Sequence, residues 1–185
     1  MDLLQEWPSY PHPYGSFNFG FAGVGATEMD SLFRERYDDE NRISLIVDHL
    51  SARAIGYISL IEVDWQLRGC GNMGIRVHPA WCGKGIGTAV IAAISEWWFD
   101  SGMNHLRLDV ASSNKRAIRC YEKVGFTKYG EFWKAVDDLR GVNLTDPNWH
   151  FLNGHIRNIS QIPELKFLLL ELRRNQNRYD NNSSD

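Results

Sequence analysis

A strand pattern, a glycine-rich loop and a helix pattern follow one another without interruption between residues 72 and 100. The segment NMGIRVH has the β-branched, alternating character of a strand and ends at Pro79. The loop WCGKGIGT follows, and an apolar stripe with helical spacing runs from about Gly85 to Asp100. Glycines let several backbone N–H groups converge on one point, and the first turn of a helix adds unpaired amides. The unit is therefore typical of an anion-binding loop at the end of a strand, although a glycine-rich turn without a ligand would show the same pattern.

Further strand and helix patterns alternate around this unit. Strand patterns lie at 43–48, 54–64, 105–111 and 128–134, and a helix pattern lies at 113–124. The first two strands are separated by a short polar turn and predict an antiparallel hairpin. An earlier helix is predicted at Thr27–Tyr37, with Thr27 as its cap. KFLLLELRR at 166–174 predicts a buried last strand, although a short helix would show the same pattern.

The two ends and one internal segment carry weaker signals. We expect a short helical turn at Leu3–Trp7, followed by a loop held in place by aromatic side chains. Residues 136–163 contain two prolines and no clear periodicity, which predicts a long loop or an insertion. Residues 175–185 are polar and predict a disordered tail. These ends leave a single domain over 1–174, best supported over 43–134.

Composition narrows the classes of protein that need to be considered. The chain has 185 residues, of which 43% are hydrophobic, and its formal net charge is −3. That charge argues against a nucleic-acid partner, and no apolar stretch is long enough to predict a membrane span. The three cysteines are odd in number and have no CxxC spacing, which argues against a disulfide framework and against a metal site. A cytoplasmic protein is therefore expected.

Two well-known phosphate-binding motifs do not fit the glycine loop. A P-loop requires GxxxxGK followed by Ser or Thr, but His78 stands where its first glycine belongs and Gly85 follows the lysine. The dinucleotide fingerprint requires GxGxxG, whereas the spacing here is GxGxG. The loop is therefore neither a P-loop nor a dinucleotide fingerprint.

The spacing does resemble the acyl-CoA-binding signature of the GNAT N-acetyltransferases, Q/R-x-x-G-x-G/A, laid on Cys82–Gly87. The downstream segment NKRAIRCYEKVGF at 114–126 is similar to the family segment N-x-x-A-x-x-x-Y-x-K-x-G-F. The two motifs occur in the expected order, and the resemblance covers about residues 43–134. One departure is Cys82, which stands where the family has Gln or Arg, so that Lys84 would compensate for the lost phosphate contact.

The resemblance implies an α/β (α+β) fold with a central mixed sheet flanked by helices. Two parallel strands, here 72–78 and 105–111, would splay apart and admit the pantetheine arm of acetyl-CoA. The backbone of Ile75, Arg76 and Val77 would hold that arm and polarise the thioester carbonyl. Further cofactor contacts are implied for Cys82, Gly83, Lys84, Gly85, Ile86, Gly87, Thr88, Asn114 and Tyr121. Tyr121 would be the general acid, while Asn114 has the alternative role of a helix N-cap.

The base that deprotonates the acceptor amine is not fixed by the motifs. Glu62 and Asp64 near a strand end are candidates, as is Asp109 on a central strand, and each has the alternative reading of a solvated carboxylate. Relatives that modify ribosomal protein termini carry an acid where this chain has Asn72. Aminoglycoside 6′-N-acetyltransferases carry an Asp in the strand where this chain has Arg76. Neither base assignment therefore transfers.

The expected function is transfer of the acetyl group of acetyl-CoA to a primary amine of a small molecule or peptide by direct attack. The alternatives are a catalytically silent acyl-CoA-binding module and an enzyme with a different acyl donor or a hydroxyl acceptor. The chain opens on LLQEW, without the strand that commonly begins the family fold. A homodimer paired through a bare sheet edge is therefore a hypothesis, which a light-scattering mass of one chain would contradict.

Overall fold

The computed structural model describes residues 7–17, 25–50 and 52–174. The predicted helical turn at Leu3–Trp7, apart from Trp7 itself, lies outside these residues, as does the tail at 175–185. In the described part of the chain, no helix is long and apolar enough to cross a membrane.

Over the residues that the structure describes, seven strands form one mixed sheet, and three α-helices accompany it. The strands are β1 (Ile43–His49), β2 (Ala52–Asp64), β3 (Gly69–Val77), β4 (His105–Ala111), β5 (Thr127–Ala135), β6 (Ile156–Arg157) and β7 (Glu164–Arg173). The helices are α1 (Ala26–Tyr37), α2 (Ile86–Asp100) and α3 (Lys115–Val124). The strand order is β1-β2-β3-β4-β7-β5, with β6 paired to β7. The mixed α/β class, the hairpin and the extended last strand are thereby confirmed.

The parallel strands β3 and β4 separate soon after they meet. They pair only at Gly69 with His105 and at Cys70 with Leu106. On its other side β3 stays paired with β2 as far as Val77, while β4 stays paired with β7 along its whole length. A gap flanked by regular sheet therefore opens toward the end of β3, and the predicted splay is confirmed.

The main core lies between the sheet and the helices α2 and α3. The predicted apolar face of α2 is confirmed, because Ile91 and Trp98 are fully buried and Val90 and Ile94 pack against the same cluster. The Trp98 indole Nε1 donates to the carbonyl of His105 at 2.9 Å, which satisfies its polar atom in the core. These contacts fix α2, and with it the glycine loop, against the splayed strands.

Two boundaries differ from the prediction. Helix α1 begins at Ala26 and has Gly25 as its N-cap, without a side-chain cap, so Thr27 lies inside the first turn and the predicted cap was wrong. Strand β3 begins at Gly69, three residues before the pattern indicated, because this part pairs with the far end of β2. Glycines at 69 and 71 hide a strand from a propensity argument.

The segment 136–163 has more structure than its composition predicts. It contains short 3-10 helices at Asp137–Leu139 and Pro147–Leu152 and the strand β6. Its apolar side chains form a second buried cluster beside β7, with Leu139, Leu152 and Ile156 as members. The insertion therefore covers the edge of the sheet that is formed by the last residues of β4 and the first residues of β7.

Candidate active site

The glycine loop connects β3 to α2 in a conformation that requires glycine. Gly83 has φ +77° and Gly85, the N-cap of α2, has φ +80°, and a Cβ added at either would meet nothing within 4 Å. The loop is therefore bare on its outer side. The unpaired first-turn amides of α2 and the positive end of its dipole follow directly. This arrangement suits a phosphate group.

Cys82 and Lys84 lie on the same loop but face different surroundings. The Cys82 thiol donates to the Val77 carbonyl at 3.4 Å, and burial raises the pKa of this thiol, with Cys120 adding to the shift and Arg116 opposing it. Cys82 is therefore a neutral structural thiol at neutral pH. The Lys84 Nζ lies 5.0 Å from the centre of the Trp81 ring, at the exposed rim of the loop.

The backbone of β3 presents alternate residues to the gap. The His78 amide donates to the Ile55 carbonyl of β2 at 2.8 Å and continues the β2–β3 register. Because backbone groups alternate sides along a strand, those of Arg76 also face β2, whereas those of Ile75 and Val77 face the gap. Of the three predicted backbone positions, the structure therefore brings only Ile75 and Val77 to the gap.

Tyr121 lies on the buried face of α3 and belongs to the main core with Met73 of β3 and Leu108 of β4. It is 6% exposed, and its ring centre lies 5.7 Å from that of Phe126. Among the described residues, its hydroxyl has no hydrogen-bond partner. Burial raises the pKa of the phenol strongly, and the nearby Cys120 and Asp109 raise it further. The phenol is therefore held protonated in a dry environment.

Polar side chains of β3, β4 and the start of α3 lie near the point where the two strands separate. The Asn72 amide of β3 donates to the Asp109 carboxylate of β4 at 2.8 Å, which bridges the two strands just where they part. Asn114 begins α3, and its Oδ1 accepts from the Ala117 amide at 3.2 Å. The predicted N-cap role of Asn114 is therefore confirmed.

Asp64 lies at the other end of the sheet from the gap, and Glu62 is opposite Gly71, between Asp64 and the gap. Asp64 is opposite Gly69, whereas Ile58 is opposite Ile75. Six residues at roughly 3.3 Å each separate these levels by about 20 Å. The Asp64 carboxylate accepts from backbone amides of the turn that follows it, so its role there is local. The structure therefore does not bring Asp64 to the site, whereas Glu62 lies one residue along β2 from Ile61, the partner of Asn72, and its role as a base stays a prediction.

An N-terminal segment, residues 7–17, crosses the mouth of the gap. Tyr10 donates its hydroxyl to the Val77 carbonyl at 2.8 Å, and the Trp7 ring packs edge-on against His78 at 5.3 Å. On the far side, the Arg116 guanidinium lies 3.7 Å from the centre of the Tyr14 ring. The predicted aromatic loop is confirmed here, but its contact with Val77 leaves no local sequence signal because the two residues are 67 positions apart.

Comparison with known proteins agrees with this geometry. The profile of the acetyltransferase (GNAT) family matches residues 5–126, which is more than half of the chain. The chain belongs to the GNAT acetyltransferase family. This membership makes it an acyltransferase of a family that uses acetyl-CoA, and it favours acetyl transfer over a silent binding module.

Individual GNAT relatives differ in how much of the chain they cover. The spermidine N(1)-acetyltransferase of Vibrio cholerae is 25% identical over 130 residues, which is 70% of this chain and 68% of the relative. The aminoglycoside N(6′)-acetyltransferase type 1 of Klebsiella pneumoniae is 47% identical over 70 residues, which is 37% of this chain and 34% of that enzyme. The crystal structure of the Vibrio cholerae spermidine N-acetyltransferase in complex with CoA and spermine has a TM-score of 0.63 at 19% identity. That match covers 85% of this chain and 80% of the other, and it shows the shared GNAT fold.

Proposed function

We propose that this GNAT enzyme transfers the acetyl group of acetyl-CoA directly to a primary amine, without an acyl-enzyme. The observation that carries the proposal is the splay itself. Backbone groups of Ile75 and Val77 face the gap, and Tyr121, which shares the main core with both strands, is held protonated. Acetyl-CoA supplies the thioester that the amine attacks.

The residues at the gap fit the two ends of the cofactor. The bare loop at Gly83–Gly85 and the amides of α2 would hold the pyrophosphate. Ile75 and Val77 would complete hydrogen bonds with the amide-like pantetheine arm, since their backbone groups lack a strand partner on that side. The Ile75–Val77 backbone would also stabilise negative charge on the carbonyl oxygen, an effect typically worth about 3 kcal/mol of barrier.

Tyr121 would donate the proton that the departing sulfur needs. A phenol whose pKa is raised by burial remains protonated across the physiological range. The same dry surroundings also penalise a thiolate anion, so burial raises the proton affinity of both partners rather than of the phenol alone. Proton transfer in this gap therefore stays feasible even though the phenol is a weak acid in isolation.

Asp109 is the carboxylate that we assign as base, directly or through water. It lies at the point where the strands part, is oriented by Asn72, and is close enough to Tyr121 to affect its pKa. In the full step, the nitrogen–carbon bond forms as the carbon–sulfur bond breaks. One proton passes from the amine to Asp109 and one from Tyr121 to the sulfur.

The acceptor follows only in its coarse class from the relatives. Their names point to polyamines and aminoglycosides, all of which present primary amines. The higher identity is confined to a third of the aminoglycoside enzyme, and the fold likeness to the spermidine enzyme does not carry its substrate. A primary amine is therefore the class that we propose.

The test is thiol release from acetyl-CoA across a panel of amines, with wild type compared with Tyr121→Phe. We expect the variant to lower kcat by about a hundredfold while the acetyl-CoA Kd stays within about twofold, because only the proton donor is removed. Tyr129→Phe, an exposed phenol on β5, is the matched control and should leave both values unchanged. Asp109→Asn should slow release without loss of acetyl-CoA binding.

Three results would contradict the proposal. Tight acetyl-CoA binding without thiol release on any amine would favour the silent module. Failure to bind acetyl-CoA would overturn the site as a whole. Full turnover by Tyr121→Phe would overturn only the role of that phenol.

A further inference from the structure

The face of β3 that points away from α2 carries a short polar row. Met73 and Ile75 belong to the main core with α2, so Asn72, Gly74 and Arg76 lie on the opposite face. Asn72 holds the Asp109 carboxylate at one end of this row. A Cβ built on Gly74 would meet nothing within 4 Å, so the middle of the row is open. Space is therefore available between a carboxylate and a guanidinium.

Arg76 belongs to a cationic cluster on this face. Its direct cross-strand partner is Tyr57, and directly opposed residues share a face of the sheet. The buried Tyr57 hydroxyl lies 3.0 Å from Ser44 Oγ and is also hydrogen-bonded by Arg36 of α1. Two guanidinium groups from different elements therefore converge on one phenol.

The pKa shifts of Tyr57 and Arg76 indicate a positive electrostatic potential around both side chains. Burial alone would raise the pKa of Tyr57, but hydrogen bonds from Ser44, Ser59 and Arg36 and the Arg36 charge lower it overall. Burial lowers the pKa of Arg76, and the Arg36 charge lowers it further, while Tyr10 and Tyr57 oppose the shift. A guanidinium nevertheless stays protonated at neutral pH. The cluster is therefore a partly desolvated cationic site.

We propose that the acceptor is a primary amine that also carries an oxyanion, a carboxylate or a phosphate, which Arg76 binds with help from Arg36. This inference rests on the proposed function and adds the chemical class of the acceptor. The amine would lie over Gly74 with Asp109 beside it, and the oxyanion would face the planar guanidinium fork that suits carboxylate and phosphate. A polyamine would instead bring extra positive charge against two guanidinium groups. The acceptor therefore differs in charge from those of the spermidine enzymes.

The test compares kcat/KM for matched acceptors in the thiol-release assay. Lysine, ornithine and β-alanine are each paired with the corresponding carboxamide, which keeps the size and removes the negative charge. O-phosphoethanolamine forms the phosphate arm, and cadaverine, putrescine and spermidine form the polyamine arm. We expect kcat/KM for at least one oxyanion-bearing amine to exceed that of its carboxamide or polyamine counterpart by about tenfold, as a charge-assisted contact would give. The better of the carboxylate and phosphate arms identifies the oxyanion.

Variants then connect the preference to the cluster. Arg76→Gln should reduce the oxyanion preference to within about threefold and improve cadaverine turnover, because a repulsive charge is lost. Arg36→Gln, on a different element, should move the preference in the same direction. Arg68→Gln removes the same charge in the exposed turn at the other end of β3 and should leave the preference intact. Wild-type acetyl-CoA affinity in each variant shows that the fold is retained.

Two results would overturn the inference while leaving the proposed function standing. One is polyamine turnover equal to or better than that of every oxyanion-bearing amine. The other is an oxyanion preference that survives in both Arg76→Gln and Arg36→Gln. Absence of thiol release with every amine, despite acetyl-CoA binding, would overturn the proposed function and this inference together.

Discussion

The Val77 carbonyl is an atom for which Tyr10 and the proposed cofactor arm would compete. It faces the gap that the cofactor arm would enter, yet it accepts a hydrogen bond from Tyr10 at 2.8 Å and another from Cys82. A carbonyl oxygen has two lone pairs, so Val77 can accept from the Cys82 thiol and from one further donor. A cofactor amide that donates to Val77 would therefore have to replace the Tyr10 hydroxyl. We therefore predict that acetyl-CoA binding depends on the position of residues 7–17.

Removal of the Tyr10 hydroxyl tests this competition. Tyr10→Phe keeps the ring and its packing but leaves Val77 free of its strong donor. We expect the acetyl-CoA Kd to fall by about fivefold, which corresponds to about 1 kcal/mol for one hydrogen bond that no longer has to be broken. Isothermal titration calorimetry measures this value. An unchanged or higher Kd would show that Tyr10 supports the cofactor instead of competing with it.

Residue roles could be predicted from sequence only where a motif carries them. Tyr121 and Asn114 follow from one segment of contiguous spacing; the structure confirms Asn114 as an N-cap, while the cofactor contacts of both residues stay predictions. Asp109 is named beside Glu62 and Asp64 as a carboxylate that could serve as the base. Its partner Asn72 is 37 positions away, so no local pattern singles it out. The convergence of Arg36 and Arg76 on Tyr57 joins three elements, and no local pattern records it.

At the scale of elements, the start of α2 combines backbone strain with binding. Gly85 and Gly102 flank this helix at its two ends, with φ of +80° and +85°, and a Cβ at either would meet open space. The two positions are thus matched in conformation, but only Gly85 borders the proposed pyrophosphate site.

Alanine at these two positions separates strain from binding. Gly85→Ala and Gly102→Ala should each lower stability by about 1 kcal/mol, because an L side chain is disfavoured at positive φ. Only Gly85→Ala should also weaken acetyl-CoA binding, by about tenfold, since its methyl group would meet the phosphates. Thermal unfolding and calorimetry on both variants provide the comparison. Equal acetyl-CoA affinities in the two variants would argue against the loop as the phosphate site.

Element types were predictable, whereas their boundaries depended on partners. The stripe of α2 and the alternation of β4 each satisfy a local period, and both elements appear where the sequence indicates. The start of β3 was missed because Gly69 and Gly71 have low strand propensity and are ordered by pairing with β2. Helix α1 is capped by Gly25, which offers no side-chain signal.

At the scale of the whole molecule, the sheet is joined across its middle by an ion pair. Glu171 of β7 accepts from Arg107 Nε of β4 at 2.8 Å and from Arg173 Nε at 2.5 Å, and it is only 9% exposed. Burial alone would raise the pKa of the Glu171 carboxyl, but hydrogen bonds and charges from the two arginines lower it overall. The ionised carboxylate therefore stabilises the folded state.

The lowered pKa gives this contribution a defined pH dependence. Glu171→Gln should reduce the free energy of unfolding by about 1–2 kcal/mol at pH 7. A carboxyl with a depressed folded-state pKa stabilises above its unfolded value, near 4.3, and loses that effect as the pH falls through the folded value. The difference in unfolding free energy between wild type and variant should thus disappear below about pH 4 in denaturant titrations. Glu96→Gln, on the exposed face of α2, is the control, and a pH-independent difference for Glu171→Gln would contradict the assignment.

The overall topology was accessible only through the family resemblance. Periodicity predicted the last strand as buried, but nothing in KFLLLELRR says that it lies between β4 and β5. That placement depends on pairing with residues 29 or more positions away, which a local pattern cannot encode. The same holds for the cluster formed by the insertion, since its apolar residues are scattered among polar ones.

The central position of β7 also bears on how the protein is made. The ribosome delivers β4 and β5 well before β7, so each waits with an unpaired edge until Arg173 has been synthesised. The gap between β3 and β4 cannot be held at its final width before then, because β4 is anchored only from its β7 side over most of its length. A nascent chain paused short of this strand should therefore carry every motif residue of the cofactor site and still be unable to bind the cofactor. Synthesis of β7 is thus required before the proposed cofactor site can form.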